Sequence, residues 1–191
     1  MGQAAEKPPM TYAEYLAHEA TADVRHEYIH GEIYAMTGGT SRHAAIGLNV
    51  GAALKAALRG KPCRPTSGDQ RIRIPGTGAS FYADVAVVCD RYHYAEDDPH
   101  GLINPTVIVE VLSPSTEGHD RGVKFEHYRR LPSLQHYLLV ATDERLVEHR
   151  QRNAQGWQMS HHTDGAIALT ALDVTLSLDD IYDDLEMLGD G

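Results

Sequence analysis

Two nearly continuous apolar runs, residues 81–89 and 106–112, constrain this chain more than any other feature. Short runs rich in Val and Ile read as strands buried on both faces in the middle of a sheet. Each run carries one carboxylate, Asp84 in the first and Glu110 in the second. A lone ionised carboxylate in a sheet interior costs on the order of several kcal/mol unless something compensates it. A basic side chain would do so. A divalent cation does so better, because hard oxygen ligands suit Mg²⁺ or Mn²⁺. The alternative is that each acid lies at a strand end, wetted or paired with Arg.

Helices and turns place these strands in a wider frame. Thr11 and Glu14 fit a capping box, so a short helix is expected through about Glu19, behind a loose tail over residues 1–10. Apolar alternation in 32–36, after His30-Gly31, reads as a β-hairpin. Ser41 is a good N-cap, and Ile46, Val50, Ala53, Leu54 and Ala57 recur at helical spacing. Residues 71–74 alternate basic and apolar, 90–105 read as a polar loop, and 117–130 read as a helix with Phe125, Tyr128 and Leu131 facing a core. Strands are expected at 135–140, 145–150, 156–160 and 166–170, and a short helix within 176–188. This order gives a mixed α/β (α+β) chain around a central sheet, read as a single domain over 1–191.

Lys124 borders the core-facing stripe of the helix that follows the Glu110 strand. A lysine near two carboxylates can orient a water or stabilise charge on a phosphate. Taken alone, it reads equally as a snorkelling side chain with its stem on the core.

The residues around these acids carry a family resemblance. They are 31–36, Gly38-Gly39 with His43, Tyr82-Ala83-Asp84-Val85, the string Glu110-Val111-Leu112-Ser113-Pro114-Ser115-Thr116, and Asp120 through Lys124 with Tyr128. Together they resemble the bacterial restriction-endonuclease-like family within the PD-(D/E)xK nuclease superfamily, from about residue 12 to 150. The resemblance implies a restriction-endonuclease-like core, a mixed central sheet flanked by helices, and Mg²⁺-dependent cleavage of phosphodiester bonds in DNA. It implies that Asp84, Glu110 and the Val111 carbonyl hold the metal, that Lys124 assists, and that Glu32 adds a further carboxylate. His43 and Tyr128 become auxiliary candidates, though His43 reads equally as a structural histidine. Position 112, where the superfamily's usual Glu-x-Lys places Lys, is Leu112 here, and the lysine is displaced to the next helix. A homodimer is also implied, since such nucleases often cut as pairs.

Charge bears on the partner. The chain has 17 Lys and Arg against 27 Asp and Glu, a net charge of −10, and non-specific DNA binders are usually basic. Two local basic runs survive that total, one over 59–73 and one over 121–130. Arg71, Arg73 and Arg121 are therefore the expected nucleic-acid contacts. The rival reading is a non-cleaving member of the same fold that binds nucleic acid or protein.

Other signals point elsewhere. His26-Glu27-Tyr28-Ile29-His30 matches the zinc-protease pattern HExxH, but that chemistry needs a helix and Gly31 follows at once. Asp120 reads as the N-cap of its helix. Cys63 and Cys89 are too few for a disulfide scaffold, so a reducing cytoplasm is the default, and no apolar run approaches a membrane span.

Overall fold

The computed structural model describes residues 9–36 and 38–188. It opens with α1 (Tyr12–Glu19), closed by the expected capping box: Thr11 N donates to Glu14 Oε2 at 2.8 Å and Glu14 N to Thr11 Oγ1 at 3.3 Å. The hairpin follows as β1 (His26–Ile29) and β2 (Glu32–Ala35). His30 and Gly31 join them with φ of 50° and 93°, the two positive values of a type I′ turn. A Cβ on Gly31 would stand 2.3 Å from Pro9 Cβ, so only glycine fits. The tail expected over 1–10 lies mostly outside the described residues. Its described end is tied down, with Met10 N donating to Gly31 O at 2.9 Å and the Tyr28 hydroxyl to Met10 O at 2.7 Å.

Helix α2 (Ser41–Ala57) begins one residue earlier in its cap than expected. Thr40 is the N-cap, its hydroxyl accepting from His43 N at 3.2 Å, and Ser41 is already helical. Next come β3 (Cys63–Ser67), β4 (Arg71–Ile74), β5 (Ala79–Tyr82), β6 (Val85–Cys89), β7 (Tyr94–Ala95), β8 (Asp98–Leu102) and β9 (Val107–Val111). The second half holds β10 (His136–Val140), β11 (Val147–Asn153), β12 (Gly156–His162), β13 (Ala166–Leu169) and β14 (Val174–Ser177).

The apolar run at 81–89 is not one strand. β5 lies in a sheet ordered β2-β1-β5-β4-β8-β7, whereas β6 lies in a second sheet ordered β12-β11-β10-β9-β6-β3. The chain changes sheets at Ala83-Asp84, so Asp84 sits at the junction and not in a strand interior. In the second sheet β9 and β10 are parallel and the other neighbours antiparallel.

The second sheet is buried on both faces. Val85, Val87, Val107, Val109, Val111, Leu138 and Val140 face α2 through Ile46, Val50 and Leu54. On the opposite side Ile108, Leu112, Tyr137 and Leu139 meet Phe81, Phe125, Tyr128 and Leu131. Strand alternation puts Glu110 on this second side, beside Ile108 and Leu112.

Several expectations need correction. The segment 90–105 is not a plain loop: β8 pairs in parallel with β4. Its sequence lacks apolar alternation because ion pairs with the arginines of β4 hold it. The helix expected over 117–130 is broken into α3 (Glu117–His119), a π-helical stretch Asp120–Lys124, and α4 (Phe125–Tyr128). β3 and β14 were not expected as strands. Cys63 and Cys89 stand opposite each other on β3 and β6 and are joined in a disulfide. Among the described residues no helix is long and apolar enough to cross a membrane.

Candidate active site

Four elements bring acids to one cavity of about 530 Å³. Glu27 comes from β1, Asp84 from the sheet junction, Glu110 from β9 and Asp120 from the π-helical stretch; Lys124 and His43 join them. Lys124 and three of the acids are buried. The Lys124 ammonium lies 2.8 Å from Glu27 Oε1, 3.2 Å from Asp120 Oδ1 and 3.4 Å from Glu110 Oε1. Asp120 and Lys124 are four residues apart on the π-helical stretch, and both are buried, as is Phe125 just after it.

One ammonium carries a single positive charge and cannot neutralise three carboxylates. Glu27 Oε1 and Asp120 Oδ1 stand within ion-pair distance of Lys124 but accept no aligned hydrogen bond, and the Tyr128 hydroxyl has no partner. The ionisation follows from this crowding. Burial drives the Glu110 carboxyl well above the usual range; Asp120, Asp84 and Glu27 push the same way, and Lys124 only partly offsets them. Burial also pushes Glu27 up, but Lys124 and His119 outweigh it and hold its carboxyl below the ordinary value. Burial works against the Lys124 charge, yet Glu110, Glu27 and Asp120 raise it well above a free lysine. Lys124 is thus a fixed cation, paired most closely with Glu27.

Asp84 is set apart and more open. Its Oδ2 accepts from Val111 N at 2.7 Å and lies 3.4 Å from His43 Nε2. That contact raises the His43 pKa, burial opposes it, and the Val111 backbone adds to the rise. His43 therefore faces two of the three groups expected to bind metal.

The structure brings Asp84, Glu110, Val111, Lys124 and His43 to one cavity, with Tyr128 packed behind them. Glu32 lies outside the lining, exposed, and accepts from the Tyr34 hydroxyl at 2.5 Å. The basic residues are also elsewhere engaged. Arg71 pairs with Asp98 at 2.7 Å, Arg73 with Asp97 at 2.7 Å, and Arg121 with Glu117 at 2.8 Å and with Glu148.

Two acids escaped the sequence reading. Glu27 lies within the HExxH match, which is strand and turn as expected. His26 turns to Glu19 at 3.0 Å, while Glu27 turns into the cavity. Asp120 is not the N-cap of its helix and its side chain faces Lys124 instead, which corrects its expected role.

A family model described as "Uma2: Putative restriction endonuclease" matches residues 12–180. The chain belongs to the Uma2 family. Two Synechocystis sp. members are similar along most of their length. The uncharacterized protein slr1290 is 33% identical over 177 residues, 92% of each chain, and sll1609 is 34% identical over 143 residues, 75% of this chain and 81% of that one. A crystal structure described as a putative nuclease belonging to DUF820 from Anabaena variabilis superposes with a TM-score of 0.74 at 20% identity, covering 91% of this chain and 98% of that one. That likeness shows a shared fold for this Uma2 protein.

The donor chemistry of the cavity fits a hard divalent cation: four carboxyl side chains, Glu27, Asp84, Glu110 and Asp120, line it. Among the described residues no three ligating side chains already surround one point, and the Lys124 ammonium lies within ion-pair distance of three of the acids.

Proposed function

We propose that this Uma2 protein is a Mg²⁺-dependent endonuclease that hydrolyses phosphodiester bonds in DNA. The observation that carries the reading is the convergence of Glu27, Asp84, Glu110 and Asp120 on one cavity, where the single ammonium of Lys124 faces three buried carboxyls. Asp84, Glu110 and the Val111 carbonyl would hold Mg²⁺, with Mn²⁺ as a substitute. When bound, the cation supplies Lewis-acid polarisation of a phosphate oxygen and acidifies a water.

The side chains account for the remainder. Val111 N–H fixes the rotamer of Asp84 by donating to Oδ2. Glu27 holds the Lys124 ammonium in place and charged. From there Lys124 Nζ donates a hydrogen bond to a water or a phosphate oxygen and stabilises charge as it builds up. Lys124 acts as a donor and not as a base, because its acids keep it protonated. His43, beside Asp84, contacts a phosphate oxygen at the mouth.

The test is plasmid nicking in Mg²⁺ and in Mn²⁺, paired with calorimetric titration of the metal alone. Cleavage should fall by about 10²–10⁴-fold in Lys124→Ala, and metal binding should disappear in Asp84→Ala. Wild-type protein that binds neither cation and leaves plasmid intact overturns the reading.

One observation favours a second reading, a non-cleaving binding member of the fold. The three arginines expected to hold nucleic acid are all in ion pairs. Intact plasmid together with specific retention of nucleic acid or protein would select it.

A further inference from the structure

A second hollow, of about 550 Å³, opens on the far side of Asp84. One wall is the outer face of α2, at Gly47, Leu48, Gly51 and Lys55, and the other is β3 from Pro65 on to Gly68. His43 and Asp84 line both this groove and the acid cavity, so the two adjoin. β3 is the outer strand of its sheet, paired only with β6. Leu48 is 73% exposed over the groove.

Charge distinguishes these walls from the rest of the molecule. From Ile33 to Gly68 the sequence contains no Asp or Glu, yet it contains Arg42, Lys55, Arg59, Lys61 and Arg64. That acid-free stretch, in a chain of net charge −10, is the one that builds α2 and β3. Lys61 pairs with Asp173 at 2.9 Å. Lys55, Arg59 and Arg64 are exposed, and Arg64 spends its hydrogen bonds on the carbonyls of Lys61 and Cys63, which leave its charge uncancelled.

We propose that the α2–β3 groove seats a nucleic-acid strand and leads it to the acid cavity. The proposal rests on the nuclease reading of that cavity and names its substrate track. A cluster of carboxylates repels phosphates, so a strand must be held by cations beside the cluster and not within it. Arg71, Arg73 and Arg121 are neutralised by their own acids. Lys55 lines the groove itself, and Arg59 and Arg64 stand on the segments that continue its two walls, a stretch without acids. The apolar floor suits sugars and base faces, with Lys55, Arg59 and Arg64 meeting phosphates at the rim. A Cβ at Gly47 or Gly51 would meet nothing within 4 Å, so neither glycine is needed for packing within the fold.

The test is fluorescence anisotropy with labelled single-stranded DNA, the matching duplex and the matching RNA strand, in Ca²⁺ to hold back cleavage. The Lys55→Glu/Arg59→Glu double variant should bind at least about tenfold more weakly, with a salt slope shallower by about two. Gly51→Leu fills the groove without changing charge, and should weaken binding while leaving the salt slope alone. Arg130→Glu, an exposed cation of the other basic run, should bind as wild type. Circular dichroism and thermal melting check that each variant is folded.

Wild-type binding that survives both groove changes overturns the proposal, as does wild-type protein that binds none of the three probes. If the protein cuts plasmid while groove variants bind and cut normally, the groove falls and the nuclease reading stands. If binding depends on the groove but no plasmid is cut, the nuclease reading falls and the groove stands.

Discussion

Asp98 and Glu110 are both buried strand carboxylates, and the protein treats them in opposite ways. Asp98 Oδ2 accepts from Arg71 Nε and from the Tyr12 hydroxyl, each at 2.7 Å; Oδ1 accepts from Arg71 Nη2 at 2.9 Å and His100 N at 3.0 Å. Burial pushes its pKa up, but Arg71, Tyr12 and His100 reverse that and hold the carboxyl below the usual value. Glu110 receives one long contact, from Lys124 at 3.4 Å, and its pKa rises. A carboxylate surrounded by a planar guanidinium, a phenol and an amide is a structural joint, here fastening β8 and α1 to β4. A carboxylate with a single long donor contact in a cavity gains most from a cation supplied from outside. The contrast tells joint from site where burial and charge alone do not.

The largest effect should come from breaking the joint. Arg71→Met leaves Asp98 buried and unpaired, and should cost about 3–5 kcal/mol in urea denaturation. A loss below about 1 kcal/mol would mean that water reaches Asp98 and that the contrast is false.

The next largest should come from filling the site. Mg²⁺ at about 100 times its Kd should stabilise the wild type by about 2.7 kcal/mol, since it binds only the folded chain. The gain should vanish in Asp84→Ala. Arg25→Gln, which removes an exposed pair with Asp69, should leave the gain intact. Equal shifts in wild type and Asp84→Ala would place the cation elsewhere.

The sequence exposed half of this contrast. Asp84 and Glu110 stood out because a carboxylate inside a Val-rich run breaks the burial rule. Glu27 and Asp120 did not, because His26-Glu27-Tyr28 and His119-Asp120-Arg121 are polar surroundings where an acid is ordinary. They become buried only when the hairpin folds over the cavity and the π-helical stretch turns inward. Asp98 was hidden for the same reason, in a segment with no periodicity, and so the basic strand at 71–74 looked like a free patch. The break at Ala83-Asp84 was invisible because both halves of the run are apolar, although they belong to different sheets. The capping box and the hairpin were read correctly because their signals are local.

A smaller effect sharpens the comparison from the other side. Glu110→Gln keeps the shape of the carboxyl and removes an acid that Lys124 reaches only at 3.4 Å. Its stability at pH 7 should equal the wild type or exceed it by about 1 kcal/mol. A large loss would make Glu110 a structural partner of Lys124, like Asp98 with Arg71.

The finest distinction is in the sign of the pH dependence. Glu110 has a folded pKa above its unfolded value, so the unfolded chain releases that proton first as pH rises. Its contribution to folding is complete below the unfolded pKa, near 4.5, and is lost as pH climbs through the raised folded pKa. Asp98 behaves inversely. Its folded pKa is lowered, so its contribution is present above about 3.8 and lost as pH falls through the lower folded value. Subtracting the Glu110→Gln stability curve from the wild type should therefore give a difference that falls from pH 4 towards neutrality. The same subtraction for Asp98→Asn should give one that drops only on the acid side. Mg²⁺ should flatten the first curve and leave the second alone, because a bound cation would compensate the ionised Glu110 carboxylate, whereas Asp98 is already saturated by Arg71. If both difference curves have the same sign, the two carboxylates share one environment, and the acid cavity loses its claim to be the site.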